Sequence, residues 1–327
     1  MILDFMEFVR GRHARRAPPL ATFDERACRN ALVQLDQAQA SEVLTVGARL
    51  AATCLNYGHD RRRVANVSMR AFPDAAWVLI FHADGYVREA ALRRLTSAAS
   101  STGRFVAITA RLNDWVPQVR TEAAQAVRRI WPLTSPNIIA NAAPYLFRQR
   151  YNWRRWADES TDLDEVLSNP DVAASVISLL LEGRSGALGR TLSQALRFPV
   201  YDIGVQKLAV EARLPDVRAT AMKALFSGKA VWPVGYGWAW TDKSLGLRRR
   251  VVLTESRCIA AREPSDLLDT ALGDNSALVR KIAADVVVER MRDLPNIAEI
   301  EPRLANDRST AVKDRAAYIR RHLGASM

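Results

Sequence analysis

The sequence predicts an all-α fold, a superhelix of stacked helix pairs. Three observations predict it: a helical signature returning about every 32 residues, a composition rich in helix formers, and turn chemistry at one place in each recurrence. The signature reads Tyr86-Val87-Arg88-Glu89-Ala90-Ala91-Leu92, then Gln118-Val119-Arg120-Thr121-Glu122-Ala123-Ala124 and Asp216-Val217-Arg218-Ala219-Thr220-Ala221-Met222. It returns as Leu278-Val279-Arg280-Lys281-Ile282-Ala283-Ala284 and as Ala311-Val312-Lys313-Asp314-Arg315-Ala316-Ala317. The basic residue stands at 88, 120, 218, 280 and 313, so the steps are 32, 98, 62 and 33, close to one, three, two and one periods.

The longer steps are expected to hide degenerate copies. Candidates are Leu188 to Leu196, Trp153-Arg154-Arg155 and Arg248-Arg249-Arg250, with a divergent early copy at Ala48 to Leu55, giving roughly eight or nine units. The apolar share is 49% and the aromatic share 7%, with Ala, Leu, Val and Arg dominating, as helices favour. No Pro/Gly/Ser-rich linker divides the chain. Residues 1–327 therefore read as one array, with a divergent N-terminal cap over 1–40 and repeats over 41–327, interrupted by irregular insertions near 145–160 and 231–250.

An apolar first helix precedes each clear signature, from Trp77 to Phe81, Phe105 to Leu112, Val205 to Leu214, Leu267 to Leu272 and Ile297 to Leu304. A turn follows, with Asp114, Asp274 and Asp307 six residues before the basic anchor, Asp84 four before and Asp216 two before. Asp at a helix entrance accepts bonds from orphan amides and suits the positive end of the helix dipole. Pro117 and Pro215 fall in the first turn, where a missing amide is harmless. The Val and the Ala pair around the anchor share one stripe, narrow enough for close packing on a partner helix. A single pair cannot bury that stripe, whereas stacked neighbours can.

The apolar helix, the Asp turn, Val-Arg and the Ala-rich second helix resemble HEAT repeats, including HEAT-like units of phycobilisome-lyase type. The resemblance covers five units well and the others loosely. It implies a right-handed α-α superhelix (α-solenoid) with first helices on the convex side and second helices on the concave side, where ligands usually bind. Such arrays serve as scaffolds, transport adaptors, regulators and occasionally DNA-repair enzymes, so the resemblance implies a fold more sharply than a function.

Charge narrows the partner. With 47 basic and 35 acidic residues the net charge is +12 and the pI about 10.2, which points to nucleic acid first and an acidic protein second. No stretch of about 18 apolar residues suggests a membrane span. The N-terminal text places Asp4 and Glu7 before its basic stretch, the reverse of a secretory signal, so a cytoplasmic location is expected. Cys28, Cys54 and Cys258 are odd in number and widely spaced, and suggest neither a disulfide framework nor a zinc site. His13, His59, His82 and His322 are scattered, and Gly183 to Gly189 lacks the Lys of a phosphate loop, so no cofactor is expected.

Basic residues beyond the anchors are the candidate ligand contacts: Arg93, Arg94, Arg128, Arg129, Arg197, Lys223, Arg290, Arg320 and Arg321. Aligned by the repeat they would form a stripe for a phosphate backbone; as ordinary helix ends they would only complement the dipole. The anchors Arg88, Arg120, Arg218 and Arg280 read instead as structural bridges between neighbouring repeats. The two irregular segments hold five of the eight Trp residues. Trp153, Arg154, Arg155 and Trp156 stand in one, and Trp238, Trp240, Arg248, Arg249 and Arg250 in the other. Such interleaving suits base stacking with phosphate contacts, or else plain packing between irregular repeats.

HEAT-like DNA glycosylases offer a second resemblance, in residue types alone, at Trp238-Ala239-Trp240-Thr241-Asp242 and the three arginines that follow. It implies Asp242 as the group that stabilises the cationic sugar. The leading expectation is a non-catalytic module binding nucleic acid; a protein scaffold for an acidic partner and the glycosylase are the alternatives.

Overall fold

The computed structural model describes residues 20–56, 58–150, 152, 153, 155, 160–259 and 264–324, which are mostly helical. The helices are α1 (Glu25–Gln37), α2 (Val43–Cys54), α3 (Arg61–Ala71), α4 (Ala76–Leu79), α5 (Gly85–Arg94) and α6 (Thr102–Ala110). They continue as α7 (Pro117–Ile130), α8 (Pro136–Gln149), α9 (Ser160–Ser168), α10 (Pro170–Glu182), α11 (Leu188–Ala195), α12 (Asp202–Glu211) and α13 (Pro215–Ser227). An antiparallel hairpin, β1 (Lys229–Asp242) and β2 (Leu247–Cys258), comes before α14 (Pro264–Leu272), α15 (Ala277–Glu289), α16 (Ile297–Ala305) and α17 (Thr310–Gly324). The hairpin corrects the all-α expectation.

Local chemistry sets the helix starts. Asp24, Asp84, Ser101, Asn169 and Ser276 each accept a first-turn amide, and Pro117, Pro136, Pro170 and Pro215 stand in first turns. Gly228 ends α13 in the left-handed region (φ 64°) and turns the chain into β1.

Helices two apart in sequence pack side by side. One row runs α3, α5, α7, α9 and then α11, α13, α15, α17; another runs α6, α8, α10, α12. Between the rows α4 lies on α5, α6 on α7, α12 on α13, α14 on α15 and α16 on α17. The signature explains the first row. Val87/Ala91, Val119/Ala123, Val217/Ala221, Val279/Ala283 and Val312/Ala316 are all buried, each pair one helical turn apart on one stripe.

The arginine anchors tie successive units. Arg88 donates through Nε and Nη2 to both oxygens of Asp114 (3.0 and 2.8 Å), and through Nη1 to the carbonyls of His82 and Ala83 (2.9 Å each). Arg218 holds Asp274 in the same way, with the carbonyls of Ala212 and Arg213, and Arg280 holds Asp307, with those of Asp274 and Asn275. Arg120 caps the carbonyl of Asp114 at 3.0 Å, whereas Lys313 is exposed. Each aspartate also accepts the amide two residues on, Val116, Ser276 or Ser309, and so shapes the entrance of its own helix.

This grammar relocates one expected repeat copy and removes two. Arg61 and Arg62 at the start of α3 both donate to Asp84, at 2.8 and 3.1 Å, so the early anchor lies there and not in Ala48 to Leu55, which falls in α2 and the residue after it. The 62-residue step from Arg218 to Arg280 is one unit, because the hairpin supplies 30 of those residues. Arg248 to Arg250 are therefore strand residues and no repeat copy. Trp153 and Arg155 lie in a non-helical connection between α8 and α9, so the copy expected there is also absent. At α11 the Gly189 amide, not an arginine, reaches Asp216 (2.8 Å), and a Cβ at 189 would come within 2.6 Å of the Asp216 carbonyl oxygen.

Cys28, Cys54 and Cys258 are all free thiols. Cys28 on α1 and Cys54 on α2 are both buried, and their thiols are hydrogen-bonded as free thiols; that bond and burial push the Cys28 thiol well above its ordinary range. Among the described residues no helix is long and apolar enough to cross a membrane, and no cluster of His, Cys, Asp and Glu is suited to a metal ion.

The side chains of Arg88 and Asp114 are almost wholly buried, so Arg88→Ala removes the bidentate partner of Asp114, leaves that carboxylate only Arg111 Nη1 (3.2 Å) and the Val116 amide, and should cost about 3 kcal/mol. Arg29→Ala breaks an exposed pair with Glu25 one turn away and should cost under about 0.5 kcal/mol. Urea melts of both variants measure the difference, and equal midpoints would refute the structural role. Beside this bridge, buried His82 accepts the Asp84 amide at Nδ1 (3.0 Å). Burial lowers its pKa, Asp84 opposing and Arg61 and Arg88 reinforcing. It stays neutral when folded but gains a proton when unfolded near pH 6.5, so stability should fall as pH drops below about 6.5. His82→Asn should flatten that slope in melts between pH 7 and 5; an unchanged slope would place its origin elsewhere.

Candidate nucleic-acid interface

The hairpin is built in two parts. Its root packs on α11 and α13: Ser193 Oγ donates to the Val231 carbonyl (2.8 Å) and Gln194 Nε2 to that of Pro233 (2.7 Å). Trp232 is buried there and donates from Nε1 to Glu255 (3.2 Å). Arg257 clamps the other strand, donating to the Leu196 carbonyl (2.8 Å) and to both oxygens of Asp202 (2.9 and 2.5 Å). Beyond the irregularity between Pro233 and Gly235 the register pairs Tyr236 with Val252, Trp238 with Arg250 and Trp240 with Arg248.

Side chains alternate across a strand, so Tyr236, Trp238 and Trp240 share one face with their partners Arg248, Arg250 and Val252. Gly235, Gly237 and Ala239 occupy the other face of β1, and Leu253 lies over Gly237. The aromatic face is open: Tyr236, Trp238 and Trp240 are 56%, 62% and 56% exposed. Its arginines lie diagonally over rings, Arg248 at 4.8 Å from the centre of Trp238 and Arg250 at 4.1 Å from that of Tyr236. Six basic residues and two acidic ones stand between Lys229 and Cys258. The arrangement combines flat apolar surfaces with fixed cations and holds both away from the helices.

The other candidate residues are placed differently. Arg93 pairs with Glu89 and with Glu122, Arg129 with Glu122 and the Leu92 carbonyl, Arg128 with Asp162, and Arg94 with Asn66. These four link neighbouring helices, Arg93 and Arg129 through buried Glu122, so the expected phosphate stripe is largely engaged within the protein. Arg290 donates to the Phe226 carbonyl, Arg320 to Glu301 and Arg321 to the Ala317 carbonyl. Arg197 lies under the hairpin between the rings of Phe198 and Trp232; burial lowers its pKa, Arg150 adds to this, and Asp164 and Glu255 oppose. Lys223 is exposed and has no ion pair among the described residues.

In the first irregular segment, Tyr145, Leu146 and Phe147 are core residues of α8, and Trp153 is buried, so the described aromatic residues of this stretch pack inward. Arg155 is exposed, its amide donating to Asn113 Oδ1 (3.0 Å). Arg154 and Trp156 lie outside the described residues. Tyr236, the third ring of the exposed face, is the site residue that motif reading passes over. The alternation of large and small side chains from Trp232 to Trp240 is the signal that finds it.

Asp242 closes the hairpin. Its Oδ1 accepts the Ser244 amide (2.8 Å), the Ser244 hydroxyl (2.5 Å) and the Leu245 amide (3.2 Å), and Gly246 completes the turn at φ 67°. Those bonds, the Ser244 hydroxyl first, hold its carboxyl below the usual range. Its position at the tip is that of a turn cap. Neither a protein-family model, nor a curated protein, nor a solved structure matches the chain.

Asp242→Ala should therefore speed amide exchange at Ser244 and Leu245 and leave the melting temperature of the whole protein essentially unchanged. Exchange measured by NMR together with a thermal melt checks this, and a large loss of stability would show that the carboxylate does more than close the turn.

Proposed function

We propose that the chain is a HEAT-like α-solenoid of about eight helix pairs that binds nucleic acid without catalysis. The observation that carries this reading is the open face of Tyr236, Trp238 and Trp240 with Arg248 and Arg250, on an arm rooted in the helices and rich in positive charge. The repeat rhythm, the Val/Ala stripes and the Arg–Asp bridges support the solenoid. The net charge of +12 supports an anionic ligand. Asp242, on which the glycosylase resemblance rests, serves as a turn cap, so the non-catalytic reading is favoured.

One observation favours a second reading. Exposed Trp, Tyr and Arg in one patch are also the anchors of protein interfaces, and an acidic protein would suit the same charge. A titration of fluorescent DNA at two salt concentrations separates the two. Nucleic-acid binding should weaken steeply with salt, and Arg248→Ala/Arg249→Ala/Arg250→Ala should weaken it at least about tenfold and reduce the slope of log K against log salt by about 2–3. Absence of binding at low salt, or binding unchanged in the triple variant, overturns the proposal and leaves the acidic protein.

A further inference from the structure

Resting on the nucleic-acid reading above, we infer that the aromatic face of the hairpin is a stacking platform for single strands and not a ribbon that reads a duplex groove. Three rings stand on alternate residues of one strand, and successive side chains on a strand face are about 6.8 Å apart. Bases stacked along one strand of a duplex rise about 3.4 Å each. The rings are thus spaced for bases drawn apart, with a ring available beside each, and not for bases already stacked on one another.

The surfaces agree with the spacing. In a duplex each base face is covered by its neighbours, and a ring gains a stacking partner only by prising a step open. Three such rings in a row would ask for three openings. A single strand presents its base faces freely, and aromatic side chains take them regardless of sequence. Tyr236 and Trp238 each carry a guanidinium over the ring, whereas Trp240, nearest the tip, has none among the described residues. Arg248 and Arg250 are thereby held extended along the platform, where a phosphate beside a stacked base would meet them. The reverse face of β1, with Gly235, Gly237 and Ala239, has nothing to stack, so the strand is received on one side only. Arg249 stands on that reverse side and adds charge without forming part of the platform.

The test uses the full chain, labelled oligodeoxythymidine and a mixed-sequence duplex of equal length, at matched salt. Wild type should bind the single strand at least tenfold more tightly than the duplex, with quenching of Trp fluorescence. Trp238→Ala/Trp240→Ala should lose about fiftyfold or more for the single strand while changing duplex binding by less than about threefold. Trp238→Phe/Trp240→Phe should recover most of the loss, because a ring is restored. Circular dichroism and the melting temperature should match wild type in each variant. Duplex binding equal to or tighter than single-strand binding, or single-strand binding untouched by the alanine pair, overturns the inference while leaving a nucleic-acid ligand in place. Failure to bind either probe overturns both readings together.

Discussion

The Arg–Asp bridge between successive units is the interaction on which the rest of the structure depends. One carboxylate closes the entrance of its own helix through a backbone amide and receives the Nε–Nη2 edge of a guanidinium from the unit before. The same guanidinium caps two carbonyls at the end of its own entrance turn. Desolvating two charges is costly unless their hydrogen-bonding capacity is filled, and here nearly all of it is. The bridge therefore fixes how one pair meets the next, while the Val/Ala stripes supply the apolar contact that drives them together.

That geometry also explains how the hairpin is accommodated. Arg218 reaches Asp274 across 56 residues of sequence with the same donor pattern that Arg88 uses to reach Asp114 across 26. Helices α13 and α15 pack as neighbours although the hairpin and α14 intervene. The bridge closes over the insertion, so the 30 residues of the arm leave the stack undisturbed. The root then needs its own fixings, which Arg257 with Asp202, Trp232 with Glu255, and Ser193 and Gln194 supply.

Much of this was legible in the text because the interactions are local or periodic. The Val-Arg signature marks helices of which three, through Arg88, Arg218 and Arg280, bridge to the next unit, and Asp114, Asp274 and Asp307 are the partners, six residues before the following anchor. The pairing at Asp84 is harder to read, since Arg61 and Arg62 precede Val64 without the Ala-rich continuation of the other copies. The hairpin was written as plainly as any helix, in the period of two from Trp232 to Trp240 and the Asp242 to Gly246 turn. Its Pro and Gly residues, and a 62-residue step that matches two repeats, hide it behind the stronger rhythm. Tyr145 to Phe147 mislead in the opposite direction: aromatics beside arginines resemble a binding segment, yet α8 is packed by α6, α10 and α11 and buries all three.

The bridges also decide where a positive surplus can act. An arginine held between carboxylates and carbonyls has little left to give a phosphate, because binding one would mean surrendering bonds already made. Arg93 and Arg129 are in that position, as are the anchors Arg88, Arg218 and Arg280, while Arg128 gives one N–H to Asp162. Arg248 and Arg250 lie over aromatic rings instead and have no ion pair among the described residues, so their N–H donors and charge are not committed to a carboxylate there. A ligand at the hairpin can thus be gripped without breaking any tie within the stack. The part of the molecule best able to bind is the part that the repeat does not require.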